Sequence, residues 1–284
     1  MIQKIKDEFN RLINLPKNND THIKIIELLK PVLCDKSDNI DDKIWAYWNI
    51  SDRYALLRMH EETYINHLEF ESYLNTLKND NYKLMLICDT TQSLSLSVGG
   101  HYDYYKKLFN QLTKDIGIDD NNYIIYFECL RTALYPKVFI KDESIRSIAL
   151  TLLEKIINKY NDDSQILRFK LYYYNVKLNE QYNLGLKDEK LLNESYDVFN
   201  QLYPYLKNKE KDEDYLFGTY DSWNMKRSMY YQARAINDYI ISLIECGYYN
   251  LAKKCYEIIG ENEFKNKYFK NHIMIMKQNM NDDH

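Results

Sequence analysis

The amino-acid sequence predicts an all-α fold, and three observations indicate it. Apolar residues recur every three or four positions through most of the 284 residues, which is the spacing of one face of a helix. The polar breaks between these stretches are short. The chain has only 7 Gly and 4 Pro, whereas the tight turns of a many-stranded sandwich or barrel need such residues at fixed places. A helical protein is therefore favoured over a β-sheet protein.

The predicted helices follow one another along the chain. The first two are separated by Pro16 and the polar run after it, and Asp20 or Thr21 is the expected N-cap of the second. Further helices are expected, with boundaries accurate to about two to four residues, at 41–58, 61–78, 81–97, 101–115, 121–134, 142–160, 164–179, 188–206, 226–246, 249–259 and 262–279. Because short turns join them, consecutive helices must pack antiparallel, as in a bundle or a solenoid.

Two stretches break this pattern. Residues 90–100 alternate Ser with apolar residues, which fits either a short strand or a helix that ends at Gly99 and Gly100; the helix is favoured. Residues 208–224 combine alternating charges with a group of aromatic residues. We expect a long loop there, and loops of this length are often functional.

Charge and cysteine content restrict the classes of partner and compartment. The net charge of −4 provides no broad positive field, so no nucleic-acid partner is expected. The 5 Cys are widely spaced and form no C-x-x-C pair, which is typical of reduced thiols in the cytoplasm. No stretch is apolar for the length of a membrane span, and the N-terminal residues do not resemble a signal peptide. We therefore expect a cytoplasmic protein with no membrane partner.

A stretch near the C-terminus resembles the turn and second helix of a tetratricopeptide repeat (TPR). Gly247 follows the end of one predicted helix, and Tyr249, Ala252 and Tyr256 fall at aromatic, small and aromatic positions of the next. Gly permits the tight turn, and the small Ala lets the second helix pack closely against the first.

An earlier stretch is similar to the first helix of such a repeat. Tyr47, Ile50, Ser51 and Tyr54 match its aromatic, aliphatic, small and aromatic positions, with Ser51 where the family has Gly. The partner helix at 61–78 carries Thr63 where the family has Ala.

The resemblance implies a right-handed α-α superhelix of antiparallel helix pairs that binds a peptide or a protein on its inner surface. Arg58 and Gly247 mark the two turns. The number of residues between them along the sequence is not a multiple of the repeat length of about 34 residues, so the solenoid must be irregular. We expect one TPR-like domain at 1–284, with a loop at 208–224 and a C-terminal capping helix at 262–280. By the register of the family, the inward residues are Trp45, Trp48, Asp52, Leu56, Arg234, Asn237, Ile241 and Glu245.

The helical period alone gives a similar grouping for the early helix. Trp45, Trp48, Asn49 and Asp52 fall on one face, and a separate apolar face is left for packing. Together with Arg53 they are candidate binding residues, because aromatic side chains and Arg are common anchors at interfaces. The alternative is that both tryptophans belong to the core and that Asp52 and Arg53 are solvated.

A second candidate region lies around Asp89, Gln92 and His101. These polar residues stand within or just after an apolar helix, and the glycine pair precedes the start of the next helix. The N-terminus of a helix that follows glycine can bind an anion. The simpler interpretation is the end of a helix and a turn.

No P-loop, G-x-S-x-G, dinucleotide-binding fingerprint or H-E-x-x-H motif occurs, so no cofactor or metal is expected. The sequence thus predicts a non-catalytic cytoplasmic scaffold that binds a protein or peptide. One alternative is an all-α sensor or enzyme with a polar pocket near Asp89 and His101. Another is a partner-blocking inhibitor of the immunity or anti-defence type, which an exposed apolar or acidic patch would favour. The oligomeric state is left open.

Overall fold

The computed structural model describes residues 2–15, 18–35, 39–77, 100–120, 122–134, 142–160, 164–204 and 229–259. Regular structure in these ranges is entirely helical, which confirms the all-α prediction for them. The helices are α1 (Ile2–Ile13), α2 (Asn19–Cys34), α3 (Ile40–Leu56), α4 (His60–Leu77), α5 (Tyr102–Asp115), α6 (Tyr123–Ala133), α7 (Glu143–Lys159), α8 (Ser164–Asn183), α9 (Glu189–Leu202), α10 (Met229–Glu245) and α11 (Tyr249–Ile259).

Some predicted elements lie in parts of the chain that the structure does not describe. Outside the described residues lie the helices expected at 81–97 and 262–279, positions 90–99 of the stretch at 90–100 for which a helix was favoured, the loop at 208–224 and the capping helix at 262–280. None of the described helices is long and apolar enough to cross a membrane.

The helices divide into two structural units, with α1 to α6 in the first and α7 to α11 in the second. In the first unit a core forms where α1, α2 and α3 meet, and its buried members are Phe9, Leu12, Ile25, Ile26, Leu29, Val32, Trp45, Ala46 and Ile50. In the second unit the core joins α8, α9, α10 and α11, and its largest fully buried members are Phe199 and Tyr239.

Asparagine and aspartate side chains begin several helices. The N-cap of α2 is Asn18, whose side chain accepts a hydrogen bond from the N–H of Thr21 at 2.9 Å. The prediction of Asp20 or Thr21 as this cap was wrong, because the helix begins earlier. Asp20 lies in the first turn, where the helix dipole stabilises a carboxylate. Equivalent caps are provided by Asn39, Asp142 and Asp188.

Three helix pairs are closed by the same kind of turn. α3–α4, α8–α9 and α10–α11 each have one residue in the left-handed conformation: Arg58 (φ 59°), Gly185 (φ 69°) and Gly247 (φ 77°). The residue after it donates its N–H back to the carbonyl five positions earlier, as in the Schellman motif that ends many helices. These bonds are Met59 to Tyr54 at 2.9 Å, Leu186 to Gln181 at 2.9 Å and Tyr248 to Leu243 at 2.7 Å.

The α3–α4 and α10–α11 pairs are alike beyond the turn as well. In both pairs the second helix begins two residues after the left-handed residue. Thr63 and Ala252 hold the same position in these second helices, and both are fully buried. A small side chain there allows the two helices to approach closely.

The turn residues predict opposite effects on stability. Arg58→Gly should raise the free energy of unfolding by roughly 0.5–1 kcal/mol, because relief of the left-handed strain exceeds the added chain entropy. Gly247→Ala should lower it by about 1 kcal/mol. No atom lies within 4 Å of a Cβ built at Gly247, so backbone conformation alone accounts for the loss. Urea unfolding of each variant measures both effects.

Gly117→Ala serves as the matched control, since a Cβ there also meets nothing within 4 Å and Gly117 has no positive φ. It should leave the unfolding midpoint unchanged or raise it slightly, because alanine lowers the conformational entropy of the unfolded chain. An equal loss in Gly117→Ala and Gly247→Ala would contradict the assignment of the effect to the left-handed turn.

Candidate binding surfaces on the hairpin helices

Much of the surface of α3 packs against the neighbouring helices α2 and α4. Tyr47 stacks on Phe70 of α4, with ring centroids 5.0 Å apart and planes at 12°. Asn66 of α4 donates from Nδ2 to the Tyr47 carbonyl at 3.1 Å and to Ser51 Oγ at 2.6 Å. Ile50 on the other side is buried in the core of the first unit. The separate packing face expected from the sequence is therefore present.

Trp45 also belongs to the core. Its side chain is 4% exposed, and its ring meets the edge of Phe9 at a centroid distance of 5.1 Å. Lys6 of α1 lies over the same ring and forms an ion pair with Asp42 at 2.7 Å. Helix α1 thus covers the N-terminal half of the face on which Trp45 was predicted. Trp45 is therefore a core residue, and its interpretation as a binding residue does not fit its position.

The C-terminal half of the same face is more open. Trp48 and Asp52 are half-buried, and Leu56 is 52% exposed. We call these three residues, spaced by one turn each, the α3 face. An exposed leucine beside an aromatic ring and a carboxylate is an arrangement that can receive a partner side chain and orient it.

Asn49 and Arg53 border the α3 face on its buried side. Asn49 is fully buried and donates from Nδ2 to the Trp45 carbonyl at 2.9 Å. The Arg53 side chain is 9% exposed, and its Nη1 lies 3.0 Å from Asp52 Oδ2. The guanidinium therefore fixes the Asp52 carboxylate, and Asp52 is the charged group of this pair that a partner can reach. The interpretation of Arg53 as a solvated residue is wrong.

The predicted late residues occupy matching positions on α10. Asn237, Ile241 and Glu245 stand ten, six and two residues before Gly247, as Trp48, Asp52 and Leu56 do before Arg58. Asn237 and Ile241 are half-buried and Glu245 is exposed, which is the same gradient as on α3. Arg234 lies in α10, and its side chain lies outside the described part of the structure.

Sequence reasoning missed the corresponding positions on α8. Counted back from Gly185 they are Asn175, Asn179 and Asn183. Extending the turn register to this third hairpin would have found them, but the longer connection before α9 and the absence of the aromatic pattern hide it. Asn183 is exposed, Asn179 is half-buried and Asn175 is 4% exposed.

A polar seam runs between α8 and α10. Asn179 donates from Nδ2 to Ser242 Oγ at 3.2 Å and to the Asn175 carbonyl at 2.8 Å. The Cys246 thiol donates to Asn179 Oδ1 at 3.8 Å. Neither amide atom of Asn175 has a hydrogen-bond partner in the structure, and the same holds for Oδ1 of Asn237. Buried amides normally have partners, so these groups are available to a polar ligand that reaches the seam.

The Cys246 thiol remains protonated in this environment. Burial, followed by the charge of Glu245, raises its pKa to about 11 from an ordinary value of 9.0. Burial likewise raises the pKa of Cys255 to about 12. Protonated thiols donate hydrogen bonds and are poor nucleophiles, so the seam is suited to binding a polar group.

Of the residues in the second candidate region, the structure describes only His101. Asp89 and Gln92 lie outside the described residues. His101 precedes α5, where its ring stacks on Tyr64 with centroids 3.8 Å apart and its Nε2 lies 3.0 Å from Glu61 Oε2. These contacts join α4 to the start of α5. Among the described residues no group of three His, Cys, Asp or Glu side chains could hold a metal ion.

Comparison of the chain with family models, with curated proteins and with solved structures finds no match. The contacts on α3, α8 and α10 therefore carry the functional argument.

Asn175 predicts an unusual response to substitution. Asn175→Leu should leave the free energy of unfolding unchanged or raise it by about 1 kcal/mol, because it removes a buried amide that has no partner. Asn66→Leu is the matched control: it breaks the bonds to Ser51 and Tyr47 and should lower stability by about 1–3 kcal/mol. Thermal and urea unfolding measure both. A large loss in Asn175→Leu would show that its amide is satisfied in solution.

The raised pKa of Cys246 predicts slow alkylation. Iodoacetamide attacks the thiolate, so labelling of Cys246 in the folded chain should stay slow at pH 8 and increase as the pH passes through about 11. In urea, which unfolds the chain, the labelling rate should increase near pH 9.0, the ordinary pKa of a cysteine thiol. The exposed Cys34 provides the internal reference. Mass spectrometry of the labelled peptides measures each site, and equal rates for Cys34 and Cys246 at pH 8 would contradict the prediction.

Proposed function

We propose that this chain is a non-catalytic cytoplasmic protein that binds a protein or a peptide through the first helices of its hairpins. The carrying observation is that α3, α8 and α10 place side chains at the same three positions before the turn, with exposure that increases toward it. Most other positions of α3 are used for packing against α2 and α4. On α3 and α10 the residues at these positions are half-buried or exposed, whereas Asn175 of α8 is buried and its amide has no hydrogen-bond partner in the structure.

On α3 the proposed contact is mainly apolar. Trp48 and Leu56 would bury part of their surface against a partner, which stabilises the complex by about 25 cal/mol for each Å² removed from water. Asp52, held by Arg53, would accept a hydrogen bond from a partner N–H or cation and so set its orientation. Such an arrangement binds a short segment and requires no chemical step.

In the second unit the proposed contact is polar. The amides of Asn175 and Asn237 have buried atoms without partners, and a peptide group has both the donor and the acceptor that an asparagine amide needs. Binding that satisfies these atoms gains more than an exposed hydrogen bond does, because their desolvation has already occurred in the free protein.

The proposal includes the irregular, TPR-like, right-handed superhelix that the sequence resemblance implies. The support is local: α3–α4 and α10–α11 share the left-handed turn, the length of the connection and the buried small residue at Thr63 and Ala252. Ala46 and Ala235 also match in position, and both are buried.

The decisive experiment separates binding from packing at the two tryptophans. Peptides selected from a random display library on the full chain are measured by calorimetry against variants. Trp48→Ala should weaken binding about tenfold or more with little change in melting temperature. Trp45→Ala should lower stability by about 3–5 kcal/mol, because it opens a cavity in the core.

Ile23→Ala is the control for loss of an exposed apolar side chain, since Ile23 is 44% exposed and lies on α2 rather than on α3. It should change neither affinity nor stability. If Trp48→Ala unfolds the chain as Trp45→Ala does, the tryptophan is core. If every selected peptide binds Trp48→Ala as tightly as it binds the wild-type chain, the α3 face is not the binding site.

A further inference from the structure

The outward side of α4 combines apolar and acidic residues. Ile65 and Leu68, one turn apart, are 48% and 40% exposed. Glu61, Glu62 and Glu69 surround them and are exposed as well. The helix contains no Lys or Arg along its whole length. We call these five residues the α4 face.

Among the described residues of the first unit, the buried side chains of α4 lie away from this face. The buried residues of α4 lie on the opposite side of the helix, and they are Thr63, Asn66, His67, Phe70 and Leu74. Exposed apolar residues are common singly, but a pair at the centre of a face of one charge is a recurrent feature of interaction sites.

Three basic side chains contact residues of α4 in the described structure. Lys107 pairs with Glu71 at 2.9 Å, and Lys43 lies over the ring of Tyr73. His101 contacts Glu61 at 3.0 Å. Glu62 and Glu69 make no ion pair with a described residue. Their charges are therefore uncompensated, and they favour a cationic partner in this position.

We propose that the α4 face binds a basic amphipathic segment of a partner protein. Two apolar side chains of that segment cover Ile65 and Leu68, and Lys or Arg residues on both sides of them lie opposite Glu62 and Glu69. Because the glutamates of the α4 face are solvent-exposed, they chiefly accelerate association and select a basic partner. Contact with Ile65 and Leu68 supplies most of the affinity. An exposed apolar and acidic patch of this kind also favours the partner-blocking alternative of the sequence analysis. This inference does not depend on the α3 face.

Two fluorescein-labelled synthetic helical peptides test the proposal with the full chain. They share the same leucine positions, and their polar positions are all Lys in one and all Glu in the other. Fluorescence anisotropy should show binding of the Lys peptide, weakening as salt is raised, and no binding of the Glu peptide. A third peptide, Lys-rich with Ser in place of each Leu, should bind about tenfold more weakly, because the apolar contact is lost.

Variants of the chain locate the contact. Glu62→Gln/Glu69→Gln and Ile65→Ser/Leu68→Ser should each weaken binding of the Lys peptide about tenfold. Glu27→Gln/Glu257→Gln makes the same change of charge at exposed glutamates outside the α4 face and should keep affinity within about twofold. All four positions of the α4 variants are exposed, and circular dichroism verifies that the helices are retained.

Equal weakening by the control and the α4 variants would overturn the proposal, because the peptide would then respond only to net charge. Equal binding of the Lys and Glu peptides would overturn it as well. Full affinity of the Lys-rich peptide without leucines would reject the apolar contact.

Discussion

The three hairpins depend on one backbone constraint, a single left-handed residue that reverses the chain between two helices. Once Arg58, Gly185 or Gly247 adopts that conformation, the hydrogen bond from the next N–H fixes where the first helix ends. The end of the helix in turn fixes which of its side chains face the second helix and which face away. Register, packing and the positions of the candidate binding residues therefore follow from the turn.

The same geometry is stabilised by different chemistry in different hairpins. Between α3 and α4, Asn66 links to Ser51 and to the backbone of Tyr47, so a polar network fills the interface. At the equivalent position α11 has Cys255, fully buried in an apolar core. A polar network constrains the pairing of two helices through directed bonds, whereas the apolar core does so through shape. Tolerance of both solutions explains why a periodic sequence pattern is weak in this chain.

The sequence was sufficient for the helices that the structure describes and for the grouping of residues on α3, but not for the environments of individual side chains. Helical spacing placed Trp45 and Trp48 on one face, and only the position of α1 shows that Phe9 and Lys6 cover Trp45. A tertiary contact of this kind has no local signal. The cap at Asn18 was missed because several residues before α2 are good caps and the start of the helix decides among them. Asn175 was missed because an asparagine without a partner is visible only when its neighbours are known.

The α3 and α4 faces lie on one hairpin and differ in charge. On α3 the carboxylate of Asp52 is fixed by Arg53, so charge there is locally balanced and the apolar groups dominate. On α4 the charges of Glu62 and Glu69 are unbalanced, so attraction extends over about 10 Å at moderate salt and acts before contact. A neutral apolar segment gains nothing from the acidic residues of the α4 face, and a strongly basic one gains less on the α3 face, where Asp52 is the reachable charge and Arg53 already offsets it. On the two proposals, the surfaces would select partners of different charge, although one turn at Arg58 positions both helices.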